Sequence, residues 1–370
     1  MFNSFYHGKR VLVTGHTGFK GSWLSMWLKR LGASVIGVSD RVPTDPSLFV
    51  ATDLESQIDH RIADVRDLNS IAEIIAETTP DVVFHLAAQA LVFDAYENPC
   101  DTFATNVIGT SNVLEALRRS GHACHAVMIT SDKCYDNVEW CWGYRETDRL
   151  GGKDPYSASK AAAELVISTF YQSYFSADDC PLKLVSTRAG NVIGGGDWSA
   201  NRIVPDCVKA WTQRQSVEIR RPNATRPWQH VLEPLSGYLA AGQALRDRPD
   251  LSGEAYNFGP SADQNHSVGR LLQELCKNWF GDDDSFNPID IRPDTSRPEA
   301  GLLKLSCEKA NTELDWHPTM DFARTAKMTA DWYQHFYAQP QSIVDLTNQQ
   351  IDDYCALAKA QNIGWAQSDR

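Results

Sequence analysis

No stretch of this 370-residue chain stays apolar for the roughly 20 residues a bilayer crossing requires, so a membrane-spanning role is not expected. Basic residues are in the minority, 35 Lys and Arg against 47 Asp and Glu, and the net charge of -12 leaves no concentrated basic face for a nucleic-acid backbone. An anionic small molecule stays compatible with this balance wherever arginines gather locally. The nine cysteines are an odd number, scattered from Cys100 to Cys355 without a Cys-x-x-Cys pair. They read as reduced thiols rather than a disulfide framework, and no metal site is expected. Internal repeats and low-complexity tracts are missing too, which excludes solenoids and linker-like tails. Met1 to Gly8 is polar and unlike a secretory leader, so the expected location is the cytoplasm.

What the chain does contain is enough apolar content, 42%, and enough length for two domains or one large α/β unit with an added lobe. Its most informative feature is Gly15-His-Thr-Gly18-Phe-Lys-Gly21, which follows the apolar run Val11-Leu-Val-Thr14 and opens an amphipathic stretch to Leu31. Strand, glycine turn and helix in that order predict a dinucleotide site. Gly15 permits the tight turn, Gly18 lets backbone approach a pyrophosphate, and Gly21 lets helix and strand pack closely. Asp40 ends the next apolar run, twenty-five residues after Gly15, where an acid takes the adenosine ribose hydroxyls. It favours NAD over NADP, although Arg41 beside it offers a partner for a 2′-phosphate.

Strand-length apolar runs recur at 11–14, 35–38, 82–86, 126–130 and 182–187, separated by helical spacing such as 67–78 and 99–120. This alternation predicts an α/β fold: a Rossmann-type doubly wound parallel sheet with a smaller, irregular α/β substrate-binding lobe. The expected division is a cofactor domain over 1–190 with a return segment at 229–258, a substrate lobe over 191–228 and 259–338, and a tail over 339–370. The tail carries only a weak helical pattern and no evident chemistry.

Two clusters carry chemistry. Tyr156 and Lys160 stand four apart just after Pro155, on one face of a predicted helix, where the Lys160 ammonium is expected to lower the phenol pKa so that Tyr156 takes a proton from a sugar hydroxyl. Alone such a pair is a weak signal; its position behind a glycine fingerprint gives it weight. Thr130-Ser-Asp-Lys133 sits at the carboxyl end of a predicted strand, where open α/β sheets hold ligands. Ser131 or Thr130 fits a substrate oxygen, Asp132 a general acid and Lys133 a general base. The plainer reading of the last two is a solvated ion pair in a loop.

These motifs, with Thr130-Ser-Asp-Lys-Cys-Tyr-Asp136, Glu139-Trp-Cys-Trp-Gly-Tyr-Arg-Glu146, Gly151-Gly-Lys-Asp-Pro-Tyr156, Arg188-Ala-Gly-Asn-Val-Ile-Gly-Gly-Gly-Asp-Trp198 and Arg226-Pro-Trp-Gln-His-Val231, resemble the extended short-chain dehydrogenase/reductase family over roughly residues 8 to 335. The likeness is greatest to its nucleotide-sugar dehydratases. It implies an NAD-dependent lyase and a nucleotide-sugar substrate, CDP-D-glucose, dehydrated across carbons 5 and 6 after oxidation at carbon 4. It also implies a homo-oligomer, dimer or tetramer, and supply of deoxysugars such as those of O-antigens. By the same resemblance Gly15, Thr17, Gly18, Phe19 and Gly21 form the cofactor turn, Asp64 approaches adenine, Leu86, Ala87 and Ala88 pass under the cofactor, and Asn106 and Thr130 support it. As bare residues Asp64 also fits a turn, Asn106 a polar helix interior and the alanines simple packing. Lys133 stands where many related dehydratases carry Glu, so its action as base requires neighbouring positive charge to depress its pKa. Asn191, Arg202, Arg226, Arg292 and Arg297 are the candidates for the substrate diphosphate, since guanidinium groups grip it in bidentate fashion. Arg188 ends a strand and is either structural or functional. A 4-epimerase, a dehydratase of another nucleotide-sugar and a non-catalytic NAD-sensing module remain as alternatives.

Overall fold

Near-continuous apolar runs such as Val11-Leu-Val and Val82-Val-Phe84 suit strands covered on both faces, and both become central strands of one sheet. The computed structural model describes residues 1–261, 263–283, 285–292 and 302–367. Its main sheet contains β1 (Arg10–Thr14), β2 (Ser34–Ser39), β3 (Asp59–Ile62), β4 (Val82–His85), β5 (Cys124–Ile129), β6 (Leu182–Arg188) and β7 (Ala255–Asn257). All pairings are parallel, in the order β3-β2-β1-β4-β5-β6-β7. Strand order reverses between β1 and β4, and the crevice outside their carboxyl ends is where such a sheet takes ligands.

The alternating side chains of each strand divide the core in two. Val11, Val13, Phe84 and Val127 meet Trp23 and Trp27 of α1 (Phe19–Arg30) and Leu235 and Leu239 of α5 (Leu232–Asp247). Leu12, Val83, Ala126 and Met128 meet α2 (Leu68–Thr78), α3 (Gly109–Ser120) and α4 (Pro155–Phe170) on the other face. Two sequence expectations are refined. Asp59-His-Arg-Ile62, too polar to read as a strand, forms β3 because it lies at the sheet edge and pairs only with β2. The helix expected over 99–120 contains a π-turn, Ala104–Ile108, between Pro99–Phe103 and α3, and that wide turn carries Asn106.

Beyond Asn191 the strands become two- and three-residue pieces: Val192–Ile193 pairs with Gln229–His230, Thr225–Arg226 with His266–Ser267, and Val217–Ile219 with Ile289–Ile291. The weakly patterned tail forms a full helix, α7 (Ile343–Ala360), after α6 (Phe322–Ala338). Aromatic rings pin it to α1: Trp365 stacks on Phe2 at 4.9 Å and on Tyr354 at 5.7 Å, with Trp27 edge-on at 5.8 Å. Each such pair contributes about 1 kcal/mol beyond its buried area. Among the described residues no helix is long and apolar enough to cross a membrane.

Candidate active site

The glycine turn has a steric reason at each end. Gly15 adopts φ +76°, and a Cβ there would lie 2.7 Å from the Ala87 backbone nitrogen. A Cβ on Gly21 would sit 2.1 Å from the Gly15 carbonyl oxygen. Leu86 and Ala87 are drawn against the turn by bonds from their N–H groups to the Thr14 carbonyl at 3.1 Å and the Thr14 hydroxyl at 3.2 Å. Gly18 caps α1, and its nearest neighbour to a Cβ is a carbonyl at 3.4 Å, so the ground before the helix start is open. Phe19 begins the helix, whose first-turn N–H groups have no acceptor within it and receive no side-chain cap from Gly18. These features fit a dinucleotide diphosphate. Thr17 acts differently from a projecting ligand: it is buried, and its hydroxyl donates to the Arg41 carbonyl at 2.7 Å, tying the turn to the end of β2.

Asp40 and Arg41 form an exposed pair at 3.3 Å just beyond β2. Asp64 is gripped by Arg66 through its backbone N–H, Nε and Nη2 at 2.8, 2.8 and 2.6 Å, which holds its carboxyl below the ordinary range. Arg41 adds to that effect from across the strand ends, and Arg66 feels Asp40 in turn. Two acids and two arginines therefore gather where the sequence marked Asp40, Asp64 and Arg41; Arg66 is the added member.

At the carboxyl end of β5, Ser131 opens a short turn, Asp132–Cys134, by accepting from the Lys133 N–H at 3.3 Å and donating to Asp132 Oδ1 at 3.0 Å. Asn191, at φ +52°, donates to the other Asp132 oxygen at 3.1 Å. Gly190 admits the carboxylate: a Cβ there would come within 2.0 Å of it. Asp154 caps α4 by accepting from the Ser157 N–H at 2.9 Å, Pro155 takes the first helical position, and Tyr156 and Lys160 follow one turn apart, both buried. Burial raises the Tyr156 phenol to about 12; a hydrogen bond with Ser131 and the charge of Arg202 oppose this, and Asp132 adds to it. Burial lowers Lys160 to about 8, with Glu164 opposing. The expected net lowering of the phenol is thus corrected: burial outweighs the partners that favour the phenolate. Ser131 is the largest of those partners.

Two neighbours escaped the sequence reading. Lys20, the residue before Gly21, donates to the Tyr238 hydroxyl of α5 at 3.2 Å. Burial lowers it to about 7, with Arg202 and Lys160 lowering it further and Asp132 opposing. A charged residue inside the glycine turn was a visible signal; Tyr238, within an apolar helix, offered none.

Other candidates are held as follows. The Thr130 hydroxyl turns inward and donates to Glu164. Asn106 exchanges bonds with the Gln89 backbone at 2.9 and 3.0 Å and donates to Ser159 at 2.8 Å, so it ties the loop after Ala88 to α4. Arg188 is buried on Glu164. Arg202 pairs with Asp197 at 3.0 Å while its charge reaches Tyr156 and Lys20. Arg226 is buried and donates to the Thr225 carbonyl at 2.8 Å. Arg292 is 67% exposed and bound to Asp290 at 2.8 Å and Glu218 at 3.7 Å, apart from the Asp132 cluster. Arg297 lies outside the described residues. Lys133 is half-buried, and among the described residues no ion pair holds its ammonium.

A parallel sheet of this order, with a tyrosine and lysine across the crevice from its glycine turn, defines the class as an extended short-chain dehydrogenase/reductase. The family model of GDP-mannose 4,6 dehydratase matches residues 12–329, and the chain belongs to that family. The CDP-glucose 4,6-dehydratase of Salmonella typhimurium (strain LT2) is 44% identical over 355 residues, covering 95% of this chain and 97% of that protein. Among solved structures, epimerase Mth375 of Methanothermobacter thermautotrophicus aligns at TM-score 0.76 and 25% identity, over 92% of this chain and 96% of its own. The UDP-glucose 4-epimerase of Thermus thermophilus, a complex with NAD, aligns at TM-score 0.72 and 26% identity, over 88% and 99%.

Proposed function

We propose that this chain is an NAD-dependent hydro-lyase that converts CDP-D-glucose to CDP-4-keto-6-deoxy-D-glucose. The observation that carries the reading is the convergence of Tyr156, Ser131, Asp132 and Asn191 at the strand ends, in a chain 44% identical to a CDP-glucose 4,6-dehydratase. Gly15, Gly18 and Gly21, with Asp40 at the end of β2, would hold the dinucleotide. When bound, NAD supplies the hydride acceptor for carbon 4, the donor for carbon 6 and a positive ring beside the phenol.

The protein's own groups move the protons. Tyr156 takes the proton of the carbon-4 hydroxyl as that carbon is oxidised, and Ser131 holds the oxygen. The ketone acidifies the hydrogen on carbon 5, because the carbanion spreads onto the carbonyl oxygen. Lys133 removes that hydrogen, Asp132 protonates the departing carbon-6 hydroxyl, and water leaves. Lys133 then returns a proton to carbon 5. Over one cycle Tyr156 gains a proton and Asp132 loses one; Ser131, bonded to Asp132 at 3.0 Å, lies between them. Residues 191–228 and 259–338 would receive the nucleotide end, with Arg202, Arg226, Arg292 and Arg297 as its anion ligands.

The setting is cytoplasmic supply of deoxysugar precursors of the O-antigen kind. A homo-oligomer fits the exposed apolar residues Tyr96, Phe103, Ile108 and Leu165, which lie on neighbouring packed helices. The test is product analysis by mass and NMR after parallel incubation with CDP-, dTDP-, UDP- and GDP-linked hexoses. A 4-keto-6-deoxy product from CDP-D-glucose above the others supports the reading. Epimers identify a 4-epimerase, and no turnover on any of them returns the chain to a sensing role.

A further inference from the structure

Glu164 and Arg188 form an ion pair whose side chains are only 4% and 5% exposed. It is bidentate, with Arg188 Nε on Glu164 Oε1 at 2.9 Å and Nη2 on Oε2 at 2.8 Å. The remaining capacity is also filled. Thr130 donates to one carboxylate oxygen and Ser186 to the other at 2.9 Å, while Arg188 Nη1 donates to the Tyr135 hydroxyl at 2.8 Å and the Glu146 carbonyl at 2.9 Å. Replacing such a pair by packed apolar residues is often neutral or stabilising, so stability is a weak reason for keeping two charges here.

Their placement supplies a better one. Glu164 lies on α4 one turn beyond Lys160 and two beyond Tyr156. Thr130 directly precedes Ser131 and Asp132, and Arg188 ends β6 three residues before Asn191. Each element that presents a reacting group therefore also lends a polar group to this pair. We propose that Glu164 and Arg188 are positioning residues, which lock the catalytic helix to the ends of β5 and β6 and set one negative charge a helical turn from the Lys160 ammonium. The proposal rests on Tyr156 being the base. Among the described residues, the charged or titratable groups facing Lys160 are Glu164 on α4, Cys134 on the turn after β5, His85 on β4 and Lys20 on α1. Burial holds the Cys134 thiol protonated and His85 neutral, so Glu164 is the anion that keeps Lys160 charged.

Three variants of the NAD-bound enzyme separate charge from geometry: Glu164→Gln, Glu164→Asp, and Glu164→Gln combined with Arg188→Met. In Glu164→Gln the alkaline limb of kcat moves down by about one pH unit, because loss of the anion favours neutral Lys160, while KM stays within about twofold. Glu164→Asp keeps the limb but lowers the plateau kcat about tenfold through displacement of α4. The double variant recovers more than half of the shift. Nitrogen-15 NMR titration of the Lys160 ammonium, assigned against Lys160→Met, reads the same effect without substrate, moving downward in Glu164→Gln; it stands even if CDP-D-glucose proves not to be the substrate. Wild-type pH profiles and a wild-type Lys160 titration, with only thermal stability altered, overturn the proposal. Should Glu164→Gln fail to fold, the other two variants decide: reduced kcat at unchanged KM supports it, and wild-type kcat in both sinks it.

Discussion

Glu164 and Glu233 are both buried and meet burial in opposite ways. At the strand ends, burial pushes the Glu164 carboxyl up, but Arg188 and the hydroxyls of Thr130 and Ser186 outweigh it and hold the group below its ordinary value. At the tail, Glu233 of α5 receives the N–H groups of Thr319 and Met320 at 3.0 and 2.6 Å and the Tyr354 hydroxyl at 2.9 Å, and among the described residues no cation pairs with it. Burial raises it to about 7. Tyr354 continues to Ser236 at 2.9 Å, and Trp316 closes the network on Ser236 at 2.8 Å. The contrast separates two uses of a buried acid. Beside the reacting groups a permanent charge is maintained, because it acts on Lys160 through space. In the tail the carboxyl serves as an acceptor that fastens α7 and the loop before α6, and it can do much of that work protonated. Changes at the reacting groups beside the first acid should therefore move activity with little effect on stability, and changes at Glu233 the reverse.

The sharpest test of that division is Tyr156→Phe, which should lower kcat by about 10³-fold, roughly 4 kcal/mol, while NAD affinity and thermal stability stay near wild type. Steady-state rates with a cofactor titration measure it, and near-normal turnover would remove the assigned base. Lys133→Met should slow exchange of the carbon-5 hydrogen with solvent by about 10²-fold, and the first hydride transfer less. Equal losses in single-turnover measurements of the two steps would end its separate role.

For the tail, the folded state binds a proton at Glu233 more tightly than the unfolded chain. Stability should fall as pH rises from about 4.5 to about 7, by at most roughly 3 kcal/mol. Glu233→Gln should flatten that slope without altering kcat; an unchanged slope in thermal melts would deny the clasp its pH dependence. The smallest effect is expected at the cap of the catalytic helix. Asp154→Ala should cost about 1 kcal/mol in denaturant unfolding, with kcat nearly retained because Glu164 and Arg188 hold the helix from its other end. A large loss of kcat there would show that the cap, rather than the ion pair, sets the position of Tyr156.

The parts legible in the residues alone were those governed by neighbours in the chain. Apolar runs marked the central strands, glycine spacing marked the turn before α1, and helical spacing from 67 and the proline at 155 marked helix starts, since each depends on a local period or a steric allowance. Ser131, Asp132, Tyr156 and Lys160 were found in the same way, through position at a strand end or a helix face. What remained hidden depended on residues distant in sequence. The edge strand β3 needed β2 beside it, Lys20 met Tyr238 across 218 positions, and Arg188 found Glu164 only when β6 lay against α4. The pKa directions were hidden for the same reason, because burial and charge partners arise only on packing. The sequence by itself determined which elements form and which residue types stand at their ends. Tertiary structure alone decided which charges face one another, because that rests on strand order and helix packing, and no local period in the chain encodes either.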